Sequence, residues 1–157
     1  MTPKPFAERN GWQLYACPAL SAIVDGLRLA VRALHTQGSR GGDSRAVDSH
    51  PKMRLLERIR SLMLDEIPRN PNAAEYQLGN TMGPRYRHWR RAKFLGRFRL
   101  FFRFNTTQKA IVYAWVNDEN TLRKAGSATD PYAVFTRKLN AGDPPDDWED
   151  LLRSTAN

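Results

Sequence analysis

Cys17 is the only cysteine in the 157-residue chain, which excludes an internal disulfide framework and points to a reducing compartment, the cytoplasm. Histidine is nearly as scarce. His35, His50 and His88 are scattered and have no second cysteine to help them. No metal-ligand spacing is legible, so neither a metal nor any other cofactor is expected. Long hydrophobic runs are missing as well. Nothing approaches the roughly 18 apolar residues of a membrane span, and the opening MTPKPFAERNGW has no apolar segment of the signal-peptide kind. A soluble protein with no membrane partner follows as the expectation.

The most informative absence is negative charge. From Tyr76 to Asn117 there is no acid, whereas Arg85, Arg87, Arg90, Arg91, Lys93, Arg97, Arg99, Arg103 and Lys109 all fall there. The chain carries 25 Lys+Arg against 16 Asp+Glu, a net charge of +9. The 16 cations outside the stretch match the 16 acids, so the whole excess lies inside it. Arginine dominates the set, and its planar fork suits bidentate phosphate contacts and stacking on bases. Like charges crowded without acids cost stability, and mixed charges would serve solubility equally well. A polyanion, RNA or DNA, is therefore the expected partner.

At this length one domain with a real core is expected over residues 1–157. Trp12–Tyr15, after Gly11 and before Pro18, reads as a short strand. Leu20, Ile23, Leu27, Val31 and Leu34 then recur at helical spacing. Gln37–Ser49, rich in Gly, Ser and Asp, reads as a flexible loop. Ser49 is placed to cap a second helix carrying Leu56, Ile59, Met63 and Ile67 on one face, with Pro51 in its first turn and Pro68 at its end. Pro71–Tyr86 should be irregular.

The period then changes from helical to alternating. In Arg97–Phe104 the even positions are Phe98, Leu100, Phe102 and Phe104, and the odd ones are Arg97, Arg99, Phe101 and Arg103. Such a strand buries one face and turns three arginines outward. Trp89–Phe94 sets Arg91 and Lys93 on a common face, Gly96 supplies a tight turn, and Ala110–Asn117 makes a third strand. Asp118 is a candidate cap for a short helix ending near Gly126. Asp130–Pro131 opens another helix, with Val134, Phe135 and Leu139, closed by Gly142. Asp146 with Glu149 resembles a capping box. The fold class expected is α+β: a small antiparallel sheet packed against N-terminal helices, with a cationic outer face and short C-terminal helices.

RNA is cut without metal when its own 2′-hydroxyl attacks the adjacent phosphate. The protein must then orient that hydroxyl, take its proton, neutralise the phosphorane and protonate the leaving 5′-oxygen. Arg and Lys supply the neutralisation but are a poor proton-transfer set, since free Lys titrates near about 10.4 and Arg higher. His88 is the only imidazole close to the cluster, and its surroundings equally suit a strand edge or loop. Tyr86, Trp89, Phe94 and Phe101 are placed to stack bases or to fill the core. In Val116–Arg123, Asn117 and Asp118 suit simple helix capping and Glu119 with Arg123 an ordinary helical ion pair. The functional alternative puts Asp118, Glu119 or Arg123 at the rim of the basic face as proton carrier or phosphate clamp.

At these residues the chain resembles the YhaV family of toxins, within the RelE/ParE-like superfamily. The resemblance is carried by Asn10-Gly11-Trp12 with Leu14-Tyr15-Ala16, by Trp89-x-Arg91-x-Lys93-Phe94, and by Gly96-Arg97-Phe98-Arg99-Leu100-Phe101-Phe102-Arg103. Trp115-x-Asn117-Asp118-Glu119-Asn120-Thr121-Leu122-Arg123 and Pro144-Pro145-x-Asp147-Trp148-Glu149 complete it, so the blocks run from end to end. It implies a RelE-like toxin domain: helices on one side of a twisted antiparallel sheet with a concave basic face. It also implies cleavage of messenger RNA at the translating ribosome, and neutralisation by a PrlF-type antitoxin of the AbrB-like class. Carried over by motif, the working residues are Arg91, Lys93 and Arg99, with Arg123 and Tyr132 nearer the C-terminus. Arg85, Arg87, Arg90, Arg97 and Arg103 remain to bind the RNA backbone. Arg91 stands where many relatives carry Lys, and a guanidinium accepts no proton at neutral pH, so its role is phosphorane stabilisation. Two rivals share these features: a ParE-like inhibitor of DNA gyrase, which needs no phosphate-cleaving cluster, and a non-catalytic RNA-binding module.

Overall fold

The computed structural model describes residues 2–41, 50–118 and 127–156. Alternation produces strands where the sequence predicts them. Arg90–Phe94 (β3) and Phe98–Asn105 (β4) pair antiparallel, with Phe94 opposite Phe98 and Arg91 opposite Phe101. The hairpin between them closes because Leu95 and Gly96 both take positive φ, 46° and 79°. Glycine adopts that conformation without strain, and Leu95 bears the steric cost. Ala110–Val116 (β5) returns antiparallel along β4. A bulge sets Trp115 opposite Phe101 but Tyr113 opposite Phe102. The skipped residue, Ala114, reverses the phase of β5, so Tyr113 and Trp115 face opposite sides of the sheet.

Two N-terminal strands complete the sheet: Ala7–Arg9 (β1) and Trp12–Ala16 (β2), in the order β1-β2-β5-β4-β3. β2 runs parallel to β5, with Leu14 beside Ile111. The sheet is thus mixed rather than antiparallel throughout. Parallel neighbours need a long crossover, and the two helices after β2 begin it. Pro18–Gly41 (α1) continues through the first part of the predicted Gln37–Ser49 loop, and the remainder of that loop lies outside the described residues. Pro51–Ser61 (α2) is capped by His50, whose Nδ1 accepts from the Lys52 N–H at 3.2 Å, in place of the predicted Ser49. A π-helical turn, Leu62–Glu66, carries the helix on to Ile67–Arg69, so Pro68 sits inside the last turn.

α1 and α2 cover one face of the sheet. Leu20, Val24, Ile59 and Met63 meet Leu14, Leu100, Phe102, Ile111 and Tyr113 in one apolar cluster. The other face is covered as well, which corrects the expectation of helices on one side only. Pro131–Asn140 (α3), capped by Asp130 through the Tyr132 N–H, and Trp148–Ser154 (α4) lie over it. Phe135, Leu139 and Leu151 pack there against Phe101, Val112 and Trp115. The Phe135 ring stacks on Phe101 with centroids 4.3 Å apart. α4 is capped by Asp147, which accepts from the Asp150 N–H, one residue later than the predicted Asp146 box. The face read from sequence as an open cationic surface is therefore a second core with arginines at its margins.

Candidate active site

The odd positions of β4 and the matching positions of β3 lie beneath α3. The β3–β4 hairpin sets Arg91, Lys93 and Arg99 on one face and brings the latter two together, since Lys93 and Arg99 are cross-strand partners. Contrary to the sequence expectation, Arg91 and Arg99 do not face solvent. They are 8% and 7% exposed. A buried guanidinium must find acceptors for its N–H groups, and these come from two sources. Arg91 Nη1 donates to the carbonyls of Gln77 at 2.6 Å and Glu75 at 3.3 Å, so the irregular segment before β3 is held against the strand. Arg99 Nη1 donates to the carbonyls of Phe98 at 2.8 Å and Gly96 at 3.0 Å, within its own hairpin.

The second source is shared. The Tyr132 hydroxyl oxygen accepts from Arg91 Nε at 2.9 Å and from Arg99 Nε at 3.0 Å. Asp130 fixes this tyrosine in the first turn of α3 by accepting its backbone N–H at 3.0 Å. Two guanidinium donors on one phenol oxygen turn its O–H hydrogen away from both arginines. Each arginine keeps its Nη2 donors for another acceptor. Among the described residues no carboxylate pairs with either guanidinium. Lys93 is exposed beside them. The arrangement is a positively charged centre with one hydroxyl at its middle and one solvated ammonium at its edge.

Asn117 is a positioning residue, where its place in the sequence suggests only a helix cap. Its Oδ1 accepts from the Arg99 backbone N–H at 2.7 Å and its Nδ2 donates to Arg97 O at 3.1 Å. The end of β5 thereby clamps the hairpin carrying Arg99. No local pattern marks such a role, because both partners come from the β3–β4 hairpin.

The remaining predicted residues are dispersed. Asp118 is exposed and borders a depression lined by Ile23, Leu27 and Leu55, on the α1–α2 side of the sheet. Glu119 and Arg123 lie outside the described residues. Arg85, Arg87 and Arg97 are exposed. Arg90 and Arg103 are half-buried on opposite faces, Arg90 over the Phe104 ring and Arg103 between Trp89 and Trp148, 5.5 Å from each ring. Arg103 also donates to Asp146 O, and the Asp146 carboxylate accepts from Trp89 Nε1 at 2.8 Å and meets His88 Nε2 at 2.7 Å. Burial pushes the Asp146 carboxyl up. The Trp89 and His88 hydrogen bonds and the charges of His88 and Arg103 outweigh that and hold it below its ordinary value. His88 is thus tied to the α4 side, in a latch separate from the Tyr132 centre. Tyr86, Trp89, Phe94 and Phe101 are all buried, so as placed they fill cores and do not stack bases. Among the described residues no three His, Cys, Asp or Glu side chains are grouped so as to hold a metal ion, and no helix is long and apolar enough to cross a membrane.

A mixed sheet with two arginines converging on a tyrosine, at the centre of a chain whose surplus charge is all positive, defines a small α+β protein built to act on a polyanion. The comparisons with known proteins sharpen this class. Residues 14–156 match the YhaV toxin family, described as a toxin with endonuclease activity, of a toxin–antitoxin system. Toxin YhaV of Escherichia coli O6:H1 is 38% identical over 148 residues, covering 93% of each chain. Ribonuclease toxin YhaV of E. coli K12 is identical to the same extent, again over 93% of both chains. The chain belongs to the YhaV toxin family. It is an endonuclease and the toxic member of a toxin–antitoxin pair, and its partner is an antitoxin.

Proposed function

We propose that the chain is a ribonuclease acting in the cytoplasm as a single toxin domain, which cuts messenger RNA on the translating ribosome by internal attack of the 2′-hydroxyl. The observation that carries the reading is the convergence of Arg91 and Arg99 on the Tyr132 hydroxyl, with Lys93 exposed beside Arg99. The relative in E. coli K12 is named a ribonuclease, and RNA alone offers the 2′-hydroxyl this centre is suited to exploit.

The 2′-oxygen forms a bond to phosphorus while the bond from phosphorus to the 5′-oxygen breaks. Arg91 and Arg99 stabilise the phosphorane through their Nη2 donors, and Lys93 adds charge from the solvent side. Tyr132, its hydroxyl aimed away from both arginines, donates its proton to the departing 5′-oxygen. The 2′-hydroxyl proton passes to Glu119, the carboxylate next in sequence to Asp118, since Asp118 itself lies on the α1–α2 side of the sheet. Arg123 clamps a neighbouring phosphate; Ser127, four residues on in sequence, lines one depression with Tyr132. Arg85, Arg87 and Arg97 hold the RNA backbone electrostatically, with Arg90 and Arg103 at the flanks. The antitoxin is of the PrlF-like, AbrB-type class and covers this basic region. The gyrase-inhibitor reading finds no support in a family defined by endonuclease activity.

The test is cleavage of a defined RNA by purified protein in EDTA, with and without ribosomes. The expected upstream product ends in a 2′,3′-cyclic phosphate or its 3′-phosphate hydrolysis product. RNA with a 2′-deoxy sugar at the scissile position is expected to bind and remain intact. Cutting of that RNA, or strict dependence on added metal, would overturn the mechanism.

A further inference from the structure

Tyr132 has a second surface. On the side away from the sheet it forms part of the wall of an open depression of about 580 Å³, bounded by Thr81 and Met82 on one bank and by Ser127, Thr136 and Arg137 on the other. That volume falls in the range of small-ligand sites and accommodates one nucleoside unit. The two banks are held by different means. The Thr81–Met82 bank belongs to the segment that Arg91 fastens to β3 through Glu75 and Gln77. The opposite bank is Ser127 with the first two turns of α3, whose register Asp130 sets. The same two residues that fix Tyr132 therefore also hold the two banks of the depression.

The hydroxyls along it have a defined polarity. Thr81 Oγ1 donates its hydrogen to Leu78 O at 2.8 Å, and Thr136 Oγ1 donates to Tyr132 O at 2.7 Å. A hydroxyl whose hydrogen is committed to a main-chain carbonyl has only lone pairs to offer. Both banks thus present acceptors and call for a ligand that brings N–H donors. Met82 gives one apolar surface against which a flat ring can lie. Arg137, exposed and anchored by Nη2 to Ala128 O at 2.7 Å, stands at the rim with its other donors available to a phosphate.

We infer that this depression is a nucleobase subsite beside the scissile phosphate, selecting an unpaired base with an exocyclic amino group, adenine, cytosine or guanine, over uracil. Thr81 and Thr136 each accept one of the two hydrogens of the amino group, where uracil offers only its single N3–H, and Arg137 holds the phosphate of the same nucleotide. This rests on the reading that the substrate is RNA and adds the identity of the base beside the cut.

The experiment is cleavage of an RNA pool randomised around the cut, with cut positions sequenced and fragments quantified, for the wild type, Thr136→Val, Thr136→Ser, Thr81→Val and Arg137→Ala. The wild type is expected to disfavour uracil at one position flanking the cut. Loss of one hydrogen bond is worth roughly fivefold in discrimination, so Thr136→Val and Thr81→Val should each reduce the preference by about that factor. Thr136→Ser, which keeps the hydroxyl, should retain it. Arg137→Ala should raise KM with the base preference unchanged. If the wild type cuts no RNA, the ribonuclease reading fails. If it cuts but shows no bias against uracil on either side, or if the two valine variants, folded by circular dichroism, keep the wild-type bias, the subsite is refuted while the ribonuclease reading stands. A valine variant that does not fold is replaced in this comparison by the other, since Thr81 and Thr136 lie on separate segments.

Discussion

Replacing Arg91 by alanine separates a buried keystone from a surface cation. The substitution removes donors to three acceptors: the Tyr132 hydroxyl at 2.9 Å, Gln77 O at 2.6 Å and Glu75 O at 3.3 Å. The longest of these counts for little. Each of the other two, made by a charged donor, is worth about 1.5–3 kcal/mol. Against this, alanine relieves the desolvation of a buried guanidinium that, among the described residues, has no carboxylate beside it. A net loss of about 3 kcal/mol is the expected balance. At about 2–4 °C per kcal/mol for a protein of this size, the midpoint of thermal unfolding falls by roughly 6–12 °C. Lys93→Ala, two residues along the same strand but exposed, should shift it by no more than about 2 °C, the usual range for surface changes. Both variants should lose growth arrest and RNA cleavage, so only the melting curves distinguish them. Circular dichroism melts of the two proteins beside the wild type are sufficient. If Arg91→Ala melts within about 2 °C of Lys93→Ala, Arg91 is not part of the buried network, and the account of how Tyr132 is positioned falls with it.

Two further outcomes follow from groups outside the centre. Burial pushes the Cys17 thiol up to about 11, helped by the charge of Asp143 and opposed by a hydrogen bond with Ser154, so folded protein should resist iodoacetamide at pH 8 while denatured protein reacts promptly. Rapid labelling without unfolding would contradict that environment. Asp146 contributes stability that is complete above its unfolded value, near 3.8, and is lost as pH falls through the lower folded one. Asp146→Asn should therefore melt below the wild type at neutral pH, with the gap closing under about pH 4. A gap independent of pH would show that the carboxylate charge plays no part in the latch.

Apart from the three-residue β1, the strands and the main helices among the described residues were legible because their evidence is local. The even positions of β4 name its buried face, the positive-φ glycine of the hairpin stands where the alternation breaks, and Asp130–Pro131 marks the start of α3. What was not legible is long-range. Arg99, Phe101 and Arg103 read as an outward face because arginine is ordinarily solvated. The contrary signal was Phe101, an aromatic in an otherwise cationic row, together with the apolar Val134, Phe135 and Leu139 of a helix that needed something to cover. Burial of Arg91 and Arg99 depends on main-chain carbonyls and one phenol oxygen, and no pattern of side chains announces a carbonyl. The parallel pairing of β2 with β5 was equally hidden, since alternation records which face a strand buries and not its neighbour's direction. Of the candidate site, Arg91, Lys93, Arg99 and Tyr132 are brought together, whereas Asp118 stands across the sheet.

The parallel β2–β5 pair also bears on how the chain is made. β2 emerges early from a synthesising ribosome, but apart from the three-residue β1 its partner is β5, and β5 follows only after both helices and the whole β3–β4 hairpin. Pairings that close so much chain are slow to form. Tyr132, the acceptor both arginines need, comes later still. A nascent chain therefore carries its cations through the exit of the very machine on which it is proposed to act, without the hydroxyl that organises them. On that proposal, cleavage of the message being translated waits on topology, until the C-terminal helices have closed over the sheet.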